Sequence, residues 1–200
     1  LLNCLSDLES GRGFTVIEGF PTENYSVEEN FLAHAGISSY LGTIVAQNHL
    51  GEKIIEIVDR GEPYSHRSRG YHSRELLPFH TDGADWAGLL CMGTAEEGGL
   101  SVISSSASVH NAILSERPDL YEVLLRGFFH HRRGEQAVGE PPVSSERIPV
   151  FSFYKGLLHT TYNRNPIDWV VHEDIELSSI EIEALDFFDA VVARPDFQIQ

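Results

Sequence analysis

Three observations predict a mainly β fold with flanking helices, an α+β arrangement of sandwich or jelly-roll type. Short runs of β-branched and aromatic residues alternate with glycine turns, capped helical segments lie between and after them, and one hairpin is unmistakable. Two hundred residues with 42% hydrophobic content suit a single domain with a sizeable core. No internal repeat or low-complexity tract interrupts the chain.

Residues 1–8 read as the end of a helix, broken by the Gly11-Arg12-Gly13 turn. Residues 14–17 then form a strand by their β-branched and aromatic content, closed by Gly19-Phe20-Pro21. Val27, Phe31, Leu32, Ala35 and Tyr40 approximate helical spacing behind a Ser26/Glu29 capping box, and Gly42 ends that helix. Residues 43–46 and 54–58 read as two strands of an early β-layer, and residues 60–74 as a polar, arginine-dense loop. Residues 87–92 look like a buried apolar run containing Cys91, after which Gly98-Gly99 turns into an extended segment, 101–104.

Further on, residues 109–114 and 120–125 are helical, divided at Arg117-Pro118 because proline starts helices but breaks their interiors. Residues 128–132 return to strand, and the Gly/Pro-bearing stretch 134–146 is a mobile loop suited to a lid. Residues 149–154, a Lys155-Gly156 turn and residues 157–162 make the hairpin. A Ser178/Glu181 capping box opens a last helix with a Leu185, Phe188, Val192 stripe, stopped by Pro195. Residues 196–200 alternate apolar and polar like the start of a strand.

A formal charge of −16 and a pI near 4.9 argue against nucleic acid or an anionic membrane as partner, since both would repel such a surface. Cys4 and Cys91 are too few for a disulfide framework, which favours a reducing compartment. No signal pattern or membrane-length apolar stretch is present, so a cytoplasmic location is expected. The chain begins at Leu1 rather than Met, which suggests that residues precede it. Nothing in it bears on oligomeric state.

The chemistry concentrates in Leu77-Pro78-Phe79-His80-Thr81-Asp82-Gly83-Ala84-Asp85-Trp86. Two residues apart on an extended chain, the His80 imidazole and the Asp82 carboxylate project from one face. They are two-thirds of a 2-His-1-carboxylate triad, which leaves coordination positions open and marks non-haem Fe(II) oxygenases. Alone, the pair is unspecific in a chain with ten histidines and thirty acidic residues.

With Gly98-Gly99-Leu100-Ser101 about twenty residues behind, the string resembles the taurine dioxygenase (TauD/TfdA-like) family of Fe(II)- and 2-oxoglutarate-dependent oxygenases. The likeness covers most of the chain and is strongest over residues 71–108. It implies a double-stranded β-helix (the clavaminate synthase-like jelly roll) with His80 and Asp82 on iron, Ser101 on a carboxylate of 2-oxoglutarate, and O₂ as co-substrate. Serine replaces the threonine of taurine dioxygenase itself. It also implies a second histidine and a 2-oxoglutarate-binding arginine on late core strands, in a Gly-Asp…His-x-Arg pattern that this sequence lacks. The expectation is therefore one domain over residues 1–200 that lacks its C-terminal core strands. His159 and His172 are weaker candidates for the missing ligand.

Substrate-binding candidates are Gln47, Asn48, Trp86, Asn163 and Arg164. Gln47 falls where taurine dioxygenase carries a substrate-binding histidine, which argues against taurine. Arg164 suits a substrate carboxylate, or equally a surface pair with Asp168 or Glu173. No catalytic group beyond the metal site is expected. The leading reading is an oxygenase that hydroxylates or otherwise oxidises a small polar or amino-acid-like molecule, releasing succinate and CO₂. The alternative is a non-catalytic jelly-roll binding module without the second histidine and the arginine. A zinc hydrolase is weaker still, since zinc enzymes usually bring three protein ligands.

Overall fold

Serine caps and one proline set the helices that carry the core. Ser105 accepts from the Ser108 amide and starts α3 (Ser106–Glu116). Pro118 sits in the first turn of α4 (Pro118–Arg126), where its missing N–H costs no hydrogen bond. A full Ser178/Glu181 capping box starts α6 (Ser179–Val192). In the computed structural model, which describes residues 2–68 and 70–199, these three helices pack on one another. Their apolar faces meet at Val109, Ile113, Leu120, Leu124, Leu185 and Phe188. The class is α+β.

The chain divides into two compact units, Leu1–Ile55 with Trp86–Gly99, and Glu56–Asp85 with Leu100–Gln200. The second holds α3, α4 and α6, the short α5 (Arg164–Asp168), and two small antiparallel sheets. β1 (Ile103–Ser104) pairs with β4 (Gln198–Ile199). β2 (Phe151–Tyr154) pairs with β3 (Leu157–Thr160) in the register Phe151 to Thr160 and Tyr154 to Leu157. Lys155 and Gly156, at φ 51° and 80°, form the two-residue turn whose twist matches the flanking strands. Phe151 and Tyr162 bury against Phe188 and tie this hairpin to the helices. Gly127, at φ 72°, lets the chain leave α4 beneath the Ile148 carbonyl, which a Cβ would overlap.

The first unit contains α1 (Leu2–Glu9) and α2 (Val27–Ser39), the latter started by the Ser26/Glu29 capping box. Asn30 is its anchor. Fully buried, Asn30 donates its side-chain amide to the carbonyls of Thr22, Tyr25 and Ser26. Trp86 lies against Gly42, and His34 against Gly88.

Several expected strands are absent as ladders. Residues 14–17, 43–46 and 54–58 form no strand ladder, and of the last only Val58 is tied across, its amide donating to the Tyr71 carbonyl. Residues 128–132 make only isolated bridges, Phe128 to Ile148 and His131 to Val143. Composition favours an extended chain, but a strand exists only where a partner edge runs alongside. Residues 87–92 are a correction too: Leu89 is 73% exposed, and Met92 and Cys91 also face outward. That run makes no ladder, and of its larger side chains only Leu90 is partly covered. Leu1 and Gln200 lie outside the described residues; of the strand expected over 196–200, Gln198–Ile199 forms as β4, and Pro195–Phe197 before it is a 3-10 turn. Among the described residues no helix is long and apolar enough to cross a membrane.

Candidate metal centre

Phe79 is the anchor of the motif strand, packed against the core beside the residues that follow it. Backbone pairing continues the anchoring. His80 bridges antiparallel to Asn163, and one step on, the Thr81 amide donates to the Tyr162 carbonyl at 2.8 Å. Alternation then sends Thr81 to one face and His80 and Asp82 to the other. Thr81 Oγ1 accepts the Tyr162 amide at 2.9 Å, a bond that spans 81 positions of sequence.

His80 Nδ1 lies 2.7 Å from the Pro78 carbonyl oxygen. A carbonyl only accepts, so in the neutral ring Nδ1 carries the proton and Nε2 presents its lone pair. This is how second partners orient metal-ligating histidines. Nε2 faces Asp82 Oδ1 across 3.8 Å, with the His80 side chain 32% exposed and Asp82 62% exposed. A cation at about 2.1 Å from each donor requires a separation between about 3.0 Å at a right angle and about 4.2 Å in line. The pair fits a shared divalent metal. Both groups are open to solvent on the side away from the core, where further ligands can enter. Among the described residues no group of three or more His, Cys, Asp or Glu side chains gathers to hold a metal.

The other expected site residues are dispersed. Ser101 is exposed in the extended segment just ahead of β1. Asn163 stands at the N-cap of α5, opposite His80 in the bridge. Gln47 and Asn48 belong to the first unit, in a turn where Asn48 Oδ1 accepts the Leu50 and Glu52 amides and Gln47 N–H donates to the Glu52 carbonyl. Trp86, half-buried, also belongs to that unit. Of the alternative ligands, His159 lies in β3 opposite Ser152. His172 stacks on His66 with ring centroids 3.9 Å apart.

Arg164 has carboxylate partners on two helices. Its Nε bonds both oxygens of Asp168, at 2.9 and 2.8 Å, and its Nη1 bonds Asp186 and Asp189 at 2.8 Å. Burial pulls the guanidinium pKa down, but these carboxylates hold it above its ordinary value. Burial raises the Asp168 carboxyl above the usual range against the pull of Arg164. Asp189 also accepts the Tyr162 hydroxyl at 2.6 Å, so the network continues into the residue that grips Thr81. Burial and Asp189 together raise the Tyr162 phenol. Of the two partners expected from sequence, Asp168 and Glu173, Arg164 bonds Asp168; Asp186 and Asp189 were not foreseen.

Arg164→Met is expected to lower the unfolding free energy by about 2–3 kcal/mol, below the 3–5 of a fully buried pair because the aspartates are partly solvated. Urea unfolding of the variant and its parent checks this. A change within about 0.5 kcal/mol, typical of surface sites, would show that the network does not support the fold.

The sequence profile described as "Taurine catabolism dioxygenase TauD, TfdA family" matches residues 3–200. The chain is similar to the FR-33289 synthase of Streptomyces rubellomurinus, 36% identical over 197 residues, which cover 96% of this chain and 58% of that protein. It is also similar to the taurine hydroxylase-like protein SAT17 of Stachybotrys chartarum, 31% identical over 121 residues, which cover 56% of this chain and 31% of that protein. The chain thus spans less than two thirds of the length of either curated relative.

Proposed function

Because the chain belongs to the taurine catabolism dioxygenase TauD, TfdA family, we propose that it forms part of an Fe(II)- and 2-oxoglutarate-dependent oxygenase acting on a small polar or amino-acid-like molecule. The single observation that carries this reading is the His80/Asp82 pair, with Nε2 freed by the Pro78 carbonyl and aimed at Oδ1. Family membership brings the jelly-roll fold with it. Residues 1–200 would belong to one such domain, with the second histidine, the 2-oxoglutarate-binding arginine and the remaining core strands contributed from outside them.

When bound, Fe(II) with 2-oxoglutarate and O₂ supplies the oxidising power, the co-substrate losing CO₂ to become succinate while substrate is oxidised. The chain's own residues bind and orient. His80 and Asp82 hold the metal and leave coordination positions open. The Ser101 hydroxyl donates to a carboxylate of 2-oxoglutarate. Asn163, beside His80 on the paired backbone, contacts substrate; Gln47, by its place in the family resemblance, its neighbour Asn48, and Trp86, by its place just past Asp82, are assigned to substrate as well. Arg164, occupied by three aspartates, is assigned a supporting role.

The test is an assay of the full-length protein with Fe(II), 2-oxoglutarate and O₂ in the presence of small polar and amino-acid-like candidates. Succinate release that requires both Fe(II) and 2-oxoglutarate is the expected outcome. A protein that binds neither Fe(II) nor 2-oxoglutarate would instead fit the non-catalytic binding module.

A further inference from the structure

We infer that Thr81, the residue between the two proposed metal ligands, is a positioning residue that fixes their spacing by locking the motif to buried Tyr162. The inference rests on the proposed metal site and deepens it. The Thr81 side-chain oxygen is engaged by the Tyr162 backbone, so Thr81 is not offered as a ligand. It does more than fill space.

In an ordinary antiparallel pair, backbone carbonyls accept the cross-strand amides. Here the Tyr162 amide goes to the Thr81 side-chain oxygen at 2.9 Å, while the Thr81 amide returns to the Tyr162 carbonyl at 2.8 Å. The same hydroxyl lies 3.4 Å from the Tyr162 carbonyl. Three contacts therefore join one residue pair, and they hold Thr81 by the N–H of the His80–Thr81 peptide and by its side chain, which fixes the residue on which both neighbours turn.

Tyr162 is a firm anchor for this clamp. It is 1% exposed, its ring stacks on Phe188 of α6 at 3.9 Å between centroids, and its hydroxyl donates to Asp189 of the same helix. The threonine hydroxyl thus adds a side-chain link to the backbone bond that already ties the motif to the helical core. A divalent metal needs its ligands within a few tenths of an ångström of bonding distance, so freeing this backbone costs metal affinity even when both ligands remain.

The experiment compares Thr81→Val and Thr81→Ser with the parent, all in the full-length protein. Mn(II) serves as the probe metal, its affinity read by loss of the free-ion EPR signal, and thermal unfolding is measured without metal. Valine keeps the shape and removes the hydroxyl; serine keeps the hydroxyl. Thr81→Val is expected to weaken Mn(II) binding by about 10-fold or more, the scale at which groups behind metal ligands act. Thr81→Ser should stay within about 2-fold of the parent. Parental affinity in Thr81→Val overturns the inference, as does a serine variant as weak as the valine one. A valine variant that loses thermal stability yet keeps parental Mn(II) affinity also overturns it, because Thr81 would then serve the fold alone. A parent that binds no Mn(II) overturns the metal-site reading itself, a result distinct from the others.

Discussion

His80→Ala in the full-length protein is expected to cut succinate release from 2-oxoglutarate by more than about 100-fold. Groups that merely support metal ligands are worth 10–100-fold in affinity or activity, so a ligand itself must be worth more. The structure gives alanine no local replacement: among the described residues no third His, Cys, Asp or Glu gathers with the pair. Asp82→Asn should act in the same direction, since a neutral amide keeps the shape but loses the carboxylate charge. Fe(II) binding measured beside turnover separates loss of metal from loss of chemistry. Equal activity in His80→Ala and the parent would remove the basis of the oxygenase reading, because a proposed metal ligand would be dispensable.

The second large effect is on stability in mild acid. His130 is mostly buried, and its Nε2 has no hydrogen-bond partner among the described residues. Burial foremost, and the nearby Arg133 charge, push its pKa down to about 4. An unfolded chain restores it to about 6.5. The folded state therefore binds fewer protons between those values. The contribution of His130 is complete above about pH 6.5, shrinks as pH falls, and is gone near pH 4, a loss of about 3 kcal/mol. Carboxylates also titrate in this range, so the readout is a difference between proteins. In His130→Gln the fall in urea-unfolding free energy from pH 7 to pH 4 should be smaller by about 3 kcal/mol. Parallel pH profiles would contradict the assignment. His66 works in the same direction, its pKa lowered by burial first and then by His172, Arg67 and His131, with Glu173 opposing.

What could be read from the sequence was what local chemistry decides. The Ser26/Glu29 and Ser178/Glu181 capping boxes, the Pro118 start and the Lys155-Gly156 turn each lie within a few residues of the structure they specify, and each is present. Residues 14–17, 43–46 and 54–58 carried equally good strand composition and formed no ladder, because pairing depends on a distant edge that composition does not encode. The site divides along the same line. His80 and Asp82 were legible through their spacing and lie face to face. The grip of Thr81 on Tyr162, and the reach of Arg164 to Asp186 and Asp189, join segments that no periodicity connects.

The span of that grip has a consequence for the chain during synthesis. His80 and Asp82 are made 81 positions before the residue that aligns them. At about 5–20 residues per second, a ribosome needs on the order of 4–16 seconds to reach Tyr162 after Thr81. Until then Thr81 has no Tyr162 backbone to bond, and the His80–Asp82 segment lacks this restraint. The long-range clamp is therefore a late event in synthesis: the segment that carries the proposed ligand pair is fixed only after α3 and α4 have been made.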